Sequence, residues 1–149
     1  MFILVTNVVS ELRKVPLGKA NANVRQWASG MEASALHLSA ITIYELEVGI
    51  LRLARRNDLN SRVLRQWLEE HVLKAFAGRI HAVDTAVAQR AAALQVPETR
   101  PWADALIAAT ALVHDMIMVT RDVGDFQSMG VLLLNPWLEG PQSLVTLAD

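Results

Sequence analysis

The chain has 149 residues, 52% hydrophobic and 19% charged, with 14 Lys+Arg against 15 Asp+Glu for a formal net charge of −1. That length is one domain's worth, and an apolar fraction above the usual ~45–50% excludes disorder for most of the chain. The charge balance excludes a strongly basic nucleic-acid wrapper, but not a nucleic-acid enzyme with a local basic rim.

Cysteine is absent, which removes disulfides, thiolate metal sites and cysteine nucleophiles and fits a reducing compartment. No apolar run approaches the ~20 residues of a membrane helix, and Met1–Val5 lacks the basic flank of a signal peptide. A cytoplasmic protein without membrane contact is expected.

In chain order, Phe2–Val5 reads as a first buried strand, followed by a helical pattern over Ala22–Ser29 and a second strand over Leu36–Ala40. Ile43–Ala54 keeps Leu46, Ile50 and Leu53 on one helical face, and Val63–Ala77 groups Val63, Leu64, Trp67, Leu68, His71 and Val72. Arg79–Val83 is a weaker strand, after which Asp84 can cap the helix Thr85–Val96. Pro101 suits the first turn of a helix over Trp102–His114, and both of these helices are alanine-rich. Met116–Val119 and Val131–Leu134 complete the strands, and Asn135-Pro136 closes the last one. Short continuous apolar strands alternating with helices predict an α/β/α sandwich with a mainly parallel sheet. Residues 1–137 form the expected domain, and 138–149, with Gly140-Pro141, read as a loose C-terminal tail.

Much chemistry is missing. There is no GxxxxGK[ST] phosphate loop, no GxGxxG dinucleotide fingerprint and no GxSxG nucleophile elbow. His37, His71, His81 and His114 are scattered, and each reads as a core or surface histidine rather than a metal ligand. Trp27, Trp67, Trp102 and Trp137 lie within apolar patterns, so core packing is expected ahead of base stacking.

Carboxylates remain. Glu45 follows the second strand, Asp122 and Asp125 follow Met116–Val119, and Asp104 lies in the first turn of the helix after Pro101. Ligands of a parallel sheet gather outside the carboxyl ends of its strands. Carboxylates converging there repel one another unless a cation intervenes, and an oxygen-only set suits Mg2+ or Mn2+. Each residue also has a local explanation. Thr42-x-x-Glu45 reads as a capping box, Asp104 favours a helix dipole, Asp122 before Gly124 suits a turn, and Asp125 can cap a helical turn. Taken residue by residue, these alternatives stay open.

Five segments in order resemble the PIN-domain ribonuclease toxins of the VapC type: FILVTNVVSEL at 2–12, SAITIYEL at 39–46, ADALIAATA at 103–111, TRDVGDF at 120–126 and NPW at 135–137. The resemblance implies that Glu45, Asp104 and Asp122 are catalytic acids that bind Mg2+ or Mn2+, with Asp125 a further acid of the site. It also implies that Thr6, Asn7 and Thr120 orient these carboxylates or bound water. The family's first acid belongs at position 5, where this chain carries Val5. Valine offers no oxygen, so the resemblance implies an endoribonuclease impaired at a lost metal-ligand position. It further implies an RNA substrate, a homodimer, and a cognate antitoxin that reaches into the acidic cleft. Arg52, Arg55, Arg56, Arg62 and Arg65 offer a basic rim for the RNA backbone, although a solvated helical face explains most of them. The alternative is a non-catalytic dimeric module that holds a DNA-binding antitoxin.

Overall fold

The computed structural model describes residues 1–140 and 144–145. Its sheet has strands β1 (Phe2–Leu4), β2 (Leu36–Ser39), β3 (Ile80–His81), β4 (Ile117–Val119), β5 (Leu133–Leu134) and β6 (Leu144–Val145), in the order β3-β2-β1-β4-β5-β6. The first five are parallel, with Phe2 opposite both Leu36 and Ile117 across the centre. β6, inside the segment read as a tail, pairs antiparallel with β5. Ile3, Leu4, Leu38, Met118 and Val119 are wholly buried, as a parallel sheet covered on both faces requires.

Helices α1 (Thr6–Leu12) and α2 (Ala22–Ser29) connect β1 to β2, and α3 (Ala40–Ala54) leaves β2 directly. The expected helix over Val63–Ala77 is broken into α4 (Asp58–Trp67), a π-helical turn at Leu68–Val72 and the short α5 (Leu73–Ala75). α6 (Thr85–Ala93) starts at Asp84, whose carboxylate accepts from the Val87 N–H at 2.9 Å. α7 (Trp102–Val113) buries Ala105, Ile107, Ala108, Ala109, Thr110 and Ala111. Its alanines thus serve close packing: Ala109 meets Val87 and Ala91 of α6, while Ile107, Ala108 and Ala111 face the main core. α8 (Val123–Phe126) is a single turn after β4.

Two boundaries matter for the site. Val5, expected as the end of the first strand, is instead the N-cap of α1. Its N–H still donates to the Val119 carbonyl at 3.0 Å, while its own carbonyl accepts from Val8 and Val9. The helix after β2 starts at Ala40 rather than Ile43, capped by the Ser39 hydroxyl, which accepts from the Ile41 N–H. Glu45 therefore sits beyond the first turn, Thr42 is buried inside the helix, and the expected capping box does not form.

The strand order sends β2 and β3 to one side of β1 and β4 to the other. Brought to the carboxyl edge at that switch are the start of α1, the first half of α3, the loop after β4 and the beginning of α7. Open α/β sheets bind their ligands there.

Candidate active site

One cleft of about 320 Å³ at this edge is lined by all four acids, Glu45, Asp104, Asp122 and Asp125, together with Val5, Thr6, Asn7 and Thr120. The acids, Val5 and the three polar residues singled out from the sequence thus share one cleft. Ser10, Ile107 and Phe126 complete the lining. All three lie within the motif segments, but nothing in the sequence assigns them a role, because their part follows from the way α1, α7 and α8 converge.

The polar residues orient the acids. The Thr6 hydroxyl donates to Glu45 Oε1 at 2.6 Å, and the Asn7 amide donates to Asp122 Oδ2 at 2.9 Å. Thr120 is fully buried, and its hydroxyl accepts the Asp122 backbone N–H at 3.0 Å. The Asp122 carboxylate is thus held from the start of α1, while the Thr120 contact to its backbone is a local turn bond after β4. The Asn7 side-chain Oδ1 is buried without a partner, so one acceptor at the start of α1 is unsatisfied.

Electrostatics confirms the crowding. Burial pushes the Asp104 carboxyl above the usual aspartate range, and the charges of Asp125, Glu45 and Asp122 push it further. A group so shifted resists ionising until something cationic arrives.

The donor set matches a hard divalent cation in kind, being oxygen throughout. Val5 turns a 5% exposed apolar side chain to the position where the cleft meets β1. Among the described residues no three Asp, Glu or His side chains stand together as a ready ion cage.

The basic residues divide. Arg62 pairs with Asp58 at 2.7 Å and Arg65 with Glu47 at 2.6 Å. Arg56 lines a second groove of about 380 Å³ with Arg13 and Lys14, residues that carried no sequence signal. This groove shares Thr6, Ser10 and Glu45 with the acidic cleft and is otherwise walled by apolar residues of α3 and α4.

Three of the four scattered histidines also meet. His37 Nδ1 and His81 Nε2 are 2.9 Å apart, and the His81 and His114 rings are 4.4 Å apart between centroids. They form no ion cage.

The sequence matches the family described as PIN domain over residues 2–132. The chain belongs to the PIN domain family. Among curated relatives of this PIN domain, the plasmid stability protein StbB of Pseudomonas syringae is 38% identical over 148 residues, covering 92% of this chain and 99% of that protein. Toxin FitB of Neisseria gonorrhoeae is 38% identical over 143 residues with the same coverage, and VapC ribonuclease Y4jK of Sinorhizobium fredii is 35% identical over 145 residues, covering 92% and 98%. Among solved structures, FitAB bound to an IR36 DNA fragment superposes with a TM-score of 0.83 at 36% identity, covering 95% of this chain and 99% of that one. The resemblance noted in the sequence thus holds across the whole fold. PIN-domain nucleases generally use divalent metal ions.

Proposed function

We propose that this PIN domain is the toxin of a type II toxin–antitoxin pair, an Mg2+-dependent endoribonuclease by descent whose hydrolytic centre Val5 impairs. The carrying observation is the gathering of Glu45, Asp104, Asp122 and Asp125 in one cleft with Val5 on its wall. The relatives support this reading: one is named a toxin, another a VapC ribonuclease, and FitAB is a complex on DNA.

When a divalent ion is bound, it supplies activation of water and stabilisation of the leaving oxygen in phosphodiester displacement. The chain's own residues prepare the cleft. Thr6 holds Glu45, and Asn7 and Thr120 hold Asp122, while burial and the neighbouring acids raise the Asp104 pKa above its usual value. Glu45, Asp104 and Asp122 are the acids assigned to the ion, with Asp125 beside them. An aspartate at position 5 would add the missing carboxylate. The groove beside Glu45, basic at Arg13, Lys14 and Arg56 and apolar along α3 and α4, suits a segment of the antitoxin. The protein acts in the cytoplasm as a homodimer.

Val5 favours a second reading, a non-catalytic dimeric module that retains only antitoxin binding. RNA cleavage assayed with Mg2+, on this chain and on Val5→Asp, separates the two. Cleavage by Val5→Asp alone supports the impaired nuclease. Silence from both supports the module and overturns the nuclease reading.

A further inference from the structure

Trp102 departs from the core placement expected for the chain's tryptophans. It opens α7 at 54% exposure and meets Tyr44 of α3, itself 53% exposed. Their ring centroids lie 5.5 Å apart with planes at 71°, an edge-to-face pair. Such a pair fixes both rings while using only one of their four faces. Two large aromatic side chains are thus held together half in water.

Their place in the chain ties them to the cleft. Tyr44 immediately precedes Glu45, and Trp102 stands two residues before Asp104. Backbone geometry therefore keeps their Cα atoms within about 4 Å and about 7 Å of those of the two acids. The pair stands at the N-terminal ends of the two helices that deliver Glu45 and Asp104.

We propose that Tyr44 and Trp102 form a stacking platform for a nucleobase of single-stranded RNA, next to the phosphate presented to the acidic cleft. The inference rests on the RNA-directed reading above. A cleft of four carboxylates repels a polyanion, and Arg62 and Arg65 are already committed to Asp58 and Glu47. Beside the basic groove of Arg13, Lys14 and Arg56, a contribution that does not depend on charge would strengthen binding at the cleft. Stacking supplies it, because every base has a π-face.

The test uses the chain as it is and a short fluorescent single-stranded RNA, with Tyr44→Ala, Trp102→Ala and Trp102→Phe beside it. A parallel series of RNAs carries one abasic position each, and the mass of every variant is measured by sedimentation. Each alanine variant should weaken binding about tenfold, within the range known for base–aromatic stacking, while Trp102→Phe keeps most of the affinity. One abasic position should reproduce that loss in the parent chain and cost little in the alanine variants. RNA binding that ignores both the rings and the bases overturns the platform and leaves the RNA-directed reading standing. Loss of affinity accompanied by a change in oligomeric mass assigns the rings to a protein contact and also overturns it. Failure of the parent chain to bind any RNA overturns both readings.

Discussion

The Thr6 hydroxyl donates to Glu45 Oε1 across 2.6 Å, joining residues 39 apart in sequence. The first residue of α1 thereby fixes a carboxylate from the second turn of α3, and it lies within 3.4 Å of the Thr42 hydroxyl as well. Thr6→Val should free Glu45 to rotate. Hydrogen bonds to charged groups contribute about 1.5–3 kcal/mol when well buried. Because Glu45 is half-buried, a loss near 1 kcal/mol is expected, read from denaturant midpoints. Unchanged stability would show that water replaces the hydroxyl without penalty.

Val5→Asp places a carboxylate at the N-cap of α1, among the existing acids. A side-chain cap is absent there now, and gaining one is worth about 1 kcal/mol. Against this stands a new charge at a position that is 5% exposed and faces three or four others. Net destabilisation without metal is expected, within the ~0.5–3 kcal/mol of ordinary substitutions. Mg2+ should restore part of it, by binding the folded state only. Thermal melts of both forms with and without Mg2+ decide the matter. A Val5→Asp form that is equally stable and indifferent to Mg2+ would remove position 5 from the site.

Asp104→Asn should stabilise the chain at neutral pH when no metal is present. The folded carboxyl titrates above its unfolded value of 3.8, through burial first and neighbouring acids second. The contribution of Asp104 is therefore most favourable below pH 3.8 and is lost as pH rises through the higher folded value. Asparagine removes the penalty at pH 7, and a melting temperature raised by a few degrees is expected. A fall in melting temperature would mean that the carboxylate makes contacts which outweigh its repulsion.

The histidine stack predicts acid sensitivity. Burial lowers the His37 pKa, aided by His81, Arg79 and the N-terminal amine; burial and His114 lower that of His81. Protonating both rings would also break their 2.9 Å contact. Both groups protonate less readily in the fold than in the unfolded chain, so their contribution is complete above the unfolded value of 6.5. It declines as pH falls below 6.5 toward the folded values. Denaturant midpoints between pH 8 and 5 should drop in the parent chain and drop less in His81→Phe. Parallel curves would assign the acid loss elsewhere.

The sequence by itself determined the layers and the inventory of the site. Apolar runs such as Phe2–Leu4 and Ile117–Val119 suit a doubly covered sheet, and the alanines at 105, 108, 109 and 111 favour a helix. The acids were legible as candidates because strand ends and helix starts are local features, whereas Val5, Thr6, Asn7 and Thr120 stood out only through the family resemblance of their segments. Partnerships across the fold were not. Whether Glu45 caps its own helix or receives a hydroxyl from α1 depends on where α3 begins, and burial of Thr42 decided that. The meeting of His37, His81 and His114 has the same origin, as does the exposure of Trp102 beside Tyr44. Periodicity reports which face of an element is apolar. Only the packing of one element on another decides which of those faces finds a partner and which is left to water.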